Sequence, residues 1–489
     1  MGFAARLLAL CALVIFSSGA TKADPLAAFL DRMRVASGDP SAAHLRSATE
    51  PPPGTDATAV TATESQGLRF FTRRCNGEIC TGTWFDGRRL YAVGINGTAL
   101  PQSRDVERDL RGSRTVASLA FLGAGFARGG GRIRDMGIVA REGRRYRELL
   151  VANLDARPLL VDVDPTTALM AASRDDAGGL LATYADYRRS GDYVLPFAVG
   201  RDGGTVDRFD SRDVVAGPLA APAGPSFMLT PARPMRLDTG GTVPAGTCTI
   251  AGIAAHCLID TGNSGLAMSL ELSEELGLDP VGAYDVRGLG ALTTLVVRTG
   301  PLDVANARLG EALYVILPDI HALGFDLIVG ADMLAAGTVV LDGPARALSF
   351  GGRASPAAAV APIAFSGLIP IVDARIGEIP ATLAIDSGDD ANIDLAYDFY
   401  TKHADAFVPT VERRVAGVGA SGVEMLGEIP VFSIGTTRFG RQSIATTRDL
   451  TGTGSGHLGA AFLSRYRVVL DYASRSFSWE EPGRRRYPR

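Results

Sequence analysis

The sequence predicts a mainly β protein with more than one domain, and three observations predict it. A chain of 489 residues with 46% hydrophobic content is long and apolar enough for two or three domains with full cores. Its 58 glycines and 27 prolines, set against 7% aromatics, are the punctuation of many short elements joined by turns. Its apolar runs are short, often alternating, and bounded by turn residues instead of repeating with a helical period. Lys plus Arg is 49 and Asp plus Glu is 53, a net charge of -4, so there is no basic surplus and no nucleic-acid partner is expected. Only Lys22 and Lys402 are lysines; this bias toward arginine is compositional and carries no functional reading.

In chain order, Met1-Gly2-Phe3-Ala4-Ala5-Arg6 precedes an apolar run from Leu7 to Phe16 and small residues up to Ala23. That is the pattern of a secretory signal peptide, 1–23, with cleavage after Thr21-Lys22-Ala23. Its apolar run is too short to span a membrane, and Leu10 makes Cys11 a poor lipidation site. No later segment approaches 18 uninterrupted apolar residues, so a periplasmic or secreted protein without an integral membrane span is expected. Cys75 with Cys80 and Cys248 with Cys257 form two local pairs, read as disulfides across hairpins, with buried thiols as the alternative. Asn76-Gly77 and Ala251-Gly252 supply the turns. Five histidines, at 44, 256, 321, 403 and 457, show no ligand spacing, so neither a metal nor another cofactor is expected.

Residues 24–217 form the first expected domain. It opens with an amphipathic helix, Leu26 to Val35, and a Pro51-Pro52-Pro53-Gly54 break, and then reads as strand from Leu68 to about Asp213. The opening helix, the strand followed by Asp162-Val163-Asp164-Pro165-Thr166-Thr167-Ala168-Leu169, and the Asp186-Tyr187-Arg188 and Leu195-Pro196-Phe197 pair resemble the periplasmic lipoprotein-carrier family. The resemblance implies an antiparallel half-barrel sheet curled around a few helices, with an apolar ligand. Linkers are read at 218–225 and 351–361, rich in Pro, Ala and Gly. The tail at 481–489, with Arg484-Arg485-Arg486, reads as a solvated end.

Segments 226–350 and 362–480 repeat one another. Leu327 to Phe350 laid over Gly456 to Trp479, at an offset of 129, matches nine of 24 positions, among them Val339-Val340-Leu341-Asp342 over Val468-Val469-Leu470-Asp471. Gly288-Leu289-Gly290 then falls on Gly417-Val418-Gly419. Upstream the offset becomes 126, and Asp260-Thr261-Gly262 falls on Asp386-Ser387-Gly388, so one three-residue insertion reconciles the whole. A third tripeptide, Asp238-Thr239-Gly240, follows no apolar strand and reads as a loop turn.

Each unit has an apolar strand ending at Asp-Thr/Ser-Gly, a Gly-x-Gly hairpin, a strand ending at Gly330 or Gly459, a brief helix and a final Val-Val-Leu-Asp strand. This order resembles the retropepsin-like and pepsin-like aspartic proteases, duplicated in one chain over residues 226 to 480. The resemblance implies two aspartic-protease-like lobes, Asp260 and Asp386 as a facing catalytic dyad, and a protein or peptide substrate. Thr261, Gly262, Ser264, Ser387 and Gly388 become supports of the catalytic loops. Gly330 and Gly459 become the glycines beneath the dyad, and Gly288, Gly290, Gly417 and Gly419 the flap turns.

The chemistry requires this pairing: two carboxyls about 3 Å apart share one proton, so that one acts as base on water while the other polarises the carbonyl. A single unit supplies one Asp. Asp389 and Asp390 replace the small or hydroxyl residues usual after the second glycine and are expected to raise the dyad's pKa values. Gly454-Ser455-Gly456-His457-Leu458-Gly459 spells a dinucleotide motif but lies inside the repeat, without a strand-helix unit around it. No G-x-S-x-G elbow occurs. The sequence therefore reads as a secreted aspartic endopeptidase. The alternatives are a non-catalytic periplasmic peptide- or lipid-binding carrier, or lobes that pair with those of a second chain; oligomeric state is left open.

Overall fold

A computed structural model of the chain describes residues 25–49, 59–201, 204–287, 290–417, 420–447 and 454–481. The segment 1–23 read as a signal peptide, Gly288, Gly419 and the end of the tail lie outside the described residues.

Thirteen strands between residues 44 and 214 form one antiparallel sheet in which every hydrogen-bonded neighbour but one is also the neighbour in sequence. The exception is the pairing of His44–Thr49 with Val206–Val214, which joins the first strand to the last and leaves Ala99–Pro101 and Arg132–Arg141 as the two edges. Between those edges the chain leaves the sheet for the helices Glu107–Ala117 and Ala124–Arg128. Phe29 and Met33 of the opening helix Pro25–Ser37, with Val116, Phe121 and Leu122, pack on Leu149, Val151, Val161, Val163 and Met170 of the sheet. The helices thus fill one face of a half-barrel.

The strand-like, polar-punctuated pattern expected from Leu68 to about Asp213 is therefore corrected at 104–128, which is helical. Glu107–Ala117 buries only Gly112, Thr115 and Val116, so its inward face is small and weakly apolar, and its amphipathic period is carried by the charged outer face instead of an apolar stripe.

The remainder of the chain builds two further sheets. In the ten-stranded sheet, Ile253–Ile259 runs antiparallel to Ala245–Ile250 and parallel to Leu327–Val329, which also pairs with Leu266–Met268. In the fifteen-stranded sheet, Ile379–Ile385 is held in the same way by Ile369–Ile376 and by Gly456–Leu458, which pairs with Ile393–Ala396. The second sheet also takes in the end of the preceding segment, because Thr338–Asp342 pairs antiparallel with Arg467–Asp471. One contiguous apolar core, running from Ile250 and Ile259 through Val339 and Leu341 to Ile385, Leu458, Phe462 and Trp479, lies between them.

The front domain is docked against this body. Ile79, at the tip of the hairpin closed by Cys75 and Cys80, packs among Leu258, Val296, Leu313 and Val315. Asn96 donates to the Leu313 carbonyl (2.9 Å) and to Asp332 (2.6 Å), and accepts from the Leu313 amide (2.7 Å). Asp332 is only 2% exposed, and burial pushes its carboxyl up to about 6 against the Thr98 and Asn96 hydrogen bonds. Both cysteine pairs are disulfides, with Cα separations of 4.1 Å for Cys75–Cys80 and 5.9 Å for Cys248–Cys257. Among the described residues no helix is long and apolar enough to cross a membrane.

Candidate active site

The two Asp-Thr/Ser-Gly loops leave the ends of buried strands. Ile259 and Ile385 are fully buried, and Asp260 and Asp386 follow each as the chain emerges. The Asp260 amide donates to the Val329 carbonyl (3.0 Å) and the Asp386 amide to that of Leu458 (3.1 Å), so each loop hangs from the parallel strand beside it.

The loops lock to each other. Thr261 Oγ1 donates to the Ile385 carbonyl (2.6 Å) and accepts from the Ser387 amide (2.9 Å). Reciprocally, Ser387 Oγ donates to the Ile259 carbonyl (2.7 Å) and accepts from the Thr261 amide (3.0 Å). Both side chains are fully buried, so all four hydrogen bonds are out of water. The loops meet within one chain.

This interlock requires glycine next. A methyl carbon on Gly388 would lie 2.5 Å from Cγ of Asp260, and one on Gly262 would fall inside the carboxyl group of Asp386. Each glycine instead donates its amide to its own aspartate, Gly262 to Asp260 Oδ1 (2.8 Å) and Gly388 to Asp386 Oδ1 (2.9 Å). Each carboxyl is thus seated against the other loop's backbone. The second pair of glycines is excluded from bearing a side chain by the same crowding: a Cβ on Gly330 would overlap the carbonyl oxygens of Asn263 and Gly265, and one on Gly459 that of Ala391.

Other expected residues are placed further off. Ser264 is exposed, and among the described residues its hydroxyl is hydrogen-bonded to neither aspartate. Gly290 and Gly417 lie at the tips of long hairpins, where Arg287 pairs with Ala291 and Gly417 with Ala420. Asp238, of the third tripeptide, sits in an irregular turn and is held by His256 Nε2 (2.6 Å).

Sequence reasoning missed His457. Its Nδ1 lies 3.1 Å from Asp386 Oδ2 and 3.5 Å from Asp389 Oδ2. Asp389 also caps its own loop by accepting from the Ala391 amide (2.8 Å), and Asp390 turns outward to Arg413 (3.2 Å).

The expectation that Asp389 and Asp390 raise both pKa values of the pair is corrected accordingly. Burial, and then the charge of Asp386, push Asp260 well above the ordinary carboxylate range. Burial acts on Asp386 in the same direction, but the His457 hydrogen bond and charge outweigh it, aided by Asp260 and the Gly388 amide, and hold Asp386 low. Burial alone would lower His457, yet Asp386 and Asp389 together hold its imidazole well above the usual value. The result is an ordered triplet: Asp260 holds a proton more tightly than Asp386, and the His457 imidazole beside Asp386 is biased toward its charged form.

Chemically these are two carboxyls within hydrogen-bond reach whose affinities for a proton are pushed in opposite directions. No group of three His, Cys, Asp or Glu among the described residues is spaced to hold a metal ion. No protein family and no curated protein matches the chain.

Proposed function

We propose that the protein is an aspartic endopeptidase of the periplasm or the cell exterior, with Asp260 and Asp386 as its dyad. The observation that carries this reading is the reciprocal lock of Thr261 and Ser387, which seats each aspartate against the opposite glycine. A structural turn has no need of two loops that interdigitate around a pair of half-buried carboxyls with opposite pKa displacements.

Correspondence between the two halves supports a duplicated origin. Met235 pairs with Leu348 as Ala361 pairs with Phe477, at the offsets of 126 and 129 found in the sequence. Val340 and Val469, themselves related by the offset of 129, pair with one another, so the pseudo-twofold axis runs between them. A dyad then arises from one aspartate per lobe. The hairpins Pro280–Arg287 with Ala291–Thr299 and Val408–Gly417 with Ala420–Ile429 are the corresponding flap elements.

In the proposed reaction a water held between the carboxyls attacks the peptide carbonyl. Asp386 takes the proton from that water while Asp260 gives its proton to the carbonyl oxygen, forming a gem-diol. On collapse Asp260 regains a proton from the diol, and the proton held by Asp386 passes to the departing amine. Both carboxyls end in their starting states. His457 does not touch substrate in this scheme; it positions the negative charge on Asp386. The two disulfides are consistent with an oxidising compartment.

The test is cleavage of unfolded casein from about pH 3 to 7, comparing the parent with Asp260→Asn and Asp386→Asn. The parent is expected to cleave and both variants to lose cleavage while retaining the parental melting curve. Absence of cleavage in the parent at every pH, or cleavage that survives either substitution, rejects the assignment.

A further inference from the structure

In the front domain the buried carboxylates Glu64, Glu148 and Asp162 are met by arginines. Arg46 and Arg73 meet Glu64, Arg141 meets Glu148 and Asp162, and Arg174 meets Asp162. Arg114, on the helix Glu107–Ala117, and Arg212, on the strand Val206–Val214, stand apart from these pairs. Both line a cavity of about 50 Å³ between the helices and the sheet, and no acidic side chain lines it with them. The remaining wall is largely apolar, with Met33, Leu45, Met170 and Leu195 among its residues.

What the two guanidiniums do have is neutral. Arg212 donates to the Pro196 carbonyl (2.6 Å) and to Ser47 Oγ (3.2 Å), and lies 4.7 Å over the Phe209 ring. Arg114 lies 5.1 Å over the Phe70 ring, and its Nε is sealed from solvent with no acceptor in reach. Aromatic faces offset part of a desolvated cation's cost, on the order of 1–2 kcal/mol each, and they leave both guanidiniums without a carboxylate partner. Burial, and for Arg114 also the charge of Arg212, lower both groups to about 10, the direction expected of like charges with no counter-ion.

An uncompensated pair of buried like charges destabilises a fold unless something neutralises it. A water needs roughly 10–15 Å³ of such volume, so this cavity has room for about four, close to the size of one carboxylate or phosphate group. We infer that Arg114 and Arg212 form an oxyanion-binding site in the front domain, which takes the carboxylate or phosphate of a small ligand or of the head of an apolar molecule. Arg114 and Arg212 together supply planar, charged N–H donors of the kind such a group accepts, and the apolar wall excludes competing water. This site is separate from the Asp260–Asp386 pair and independent of whether that pair hydrolyses peptides.

Thermal melting and titration calorimetry on the full chain, at constant ionic strength with chloride as reference, test it with inorganic phosphate, acetate and decanoate. At least one oxyanion is expected to raise the melting temperature and to bind with measurable heat, while chloride does neither. Stabilisation by phosphate or acetate identifies a free anion as sufficient, and stabilisation by decanoate alone identifies a head group that needs its tail. Arg114→Met is expected to weaken that binding at least tenfold and, by removing an uncompensated charge, to melt no lower than the empty parent. Arg114→Lys, which keeps the charge, is expected to retain more binding than Arg114→Met. Should Arg114→Met fail to fold, Arg212→Met carries the same expectation of lost binding. No stabilisation by any of the three anions, or binding undiminished in the methionine variants, overturns the site.

Discussion

Replacing Thr261 by Val removes a hydroxyl and keeps the side chain's shape, so it isolates the hydrogen bonds of the loop lock. Two bonds go, and two buried partners are orphaned: the Ile385 carbonyl and the Ser387 amide, formerly at 2.6 and 2.9 Å. Neither can turn to water, because Thr261 and Ser387 are 0% exposed. An orphaned buried backbone group costs about 1–3 kcal/mol, so the loss of both is expected to destabilise by about 2–6 kcal/mol. With a urea dependence of about 3 kcal/mol per molar, the midpoint falls by about 1–2 M at unchanged slope.

The assay is urea unfolding followed by tryptophan fluorescence. The chain has two tryptophans, and a Trp84→Phe background leaves Trp479, 3% exposed in the core around the dyad, to report on that unit alone. Ser387→Ala orphans the Ile259 carbonyl and the Thr261 amide and is expected to cost a similar amount. The double variant should be less than additive, since loops already parted by one change have less to lose, with a coupling of about 0.5–3 kcal/mol. Thr261→Ser keeps the hydroxyl and should stay within about 1 kcal/mol of the parent. If Thr261→Val unfolds at no lower urea than Thr261→Ser, the lock does not hold the loops together and the reasoning fails.

His457→Gln is expected to move the bell-shaped pH profile of peptide cleavage upward. The acid limb reports Asp386 and the alkaline limb Asp260; the imidazolium lowers both, so its removal raises both. Because the folded pKa of His457 is raised, its contribution to stability is complete below about pH 6.5 and is lost as pH climbs through the folded value. Parent melting temperatures should therefore fall above about pH 6.5, and fall less steeply in His457→Gln. Gly388→Ala drives a methyl to 2.5 Å from the Asp260 carboxyl. It is expected to cost about 1–3 kcal/mol by denaturant unfolding and to reduce casein cleavage by about 100-fold. Replacing Cys248 and Cys257 together by Ala opens a loop with a separation of 9 residues. It should destabilise by about 2–3 kcal/mol, measured as a lower urea midpoint under non-reducing conditions.

The Asp260 and Asp386 loops are legible in the sequence because each requirement on them is local and occurs twice. An apolar strand must precede the aspartate, a hydroxyl must follow, and a residue without a side chain must come next; Ile259-Asp260-Thr261-Gly262 and Ile385-Asp386-Ser387-Gly388 satisfy all three. The turn of Asp238-Thr239-Gly240 is distinguished by the same test, since Arg236-Leu237 is no buried strand. The helix Glu107–Ala117 is not legible, because the surface it buries is made by Gly112 and Thr115 as much as by Val116.

His457 left one faint signal. Its counterpart at the offset of 129 is Ile328, so a titratable residue stands where the other copy has an apolar one. Nothing local says that its ring reaches Asp386, which lies 71 residues earlier by number and is brought near by the parallel pairing of Ala384 with His457. Arg114 and Arg212 are likewise ordinary members of an arginine-rich chain until the sheet curls and places both on one cavity.

By itself, then, the sequence determined the β class, both disulfide pairs, and which residues end the two loops, because these follow from short-range rules of turn, strand and steric fit. Tertiary structure alone decided that the loops interlock, which carboxyl holds a proton more tightly, and which arginines are left without a counter-charge. Those outcomes depend on burial and on charges from distant segments, and both are settled only when the strands pair.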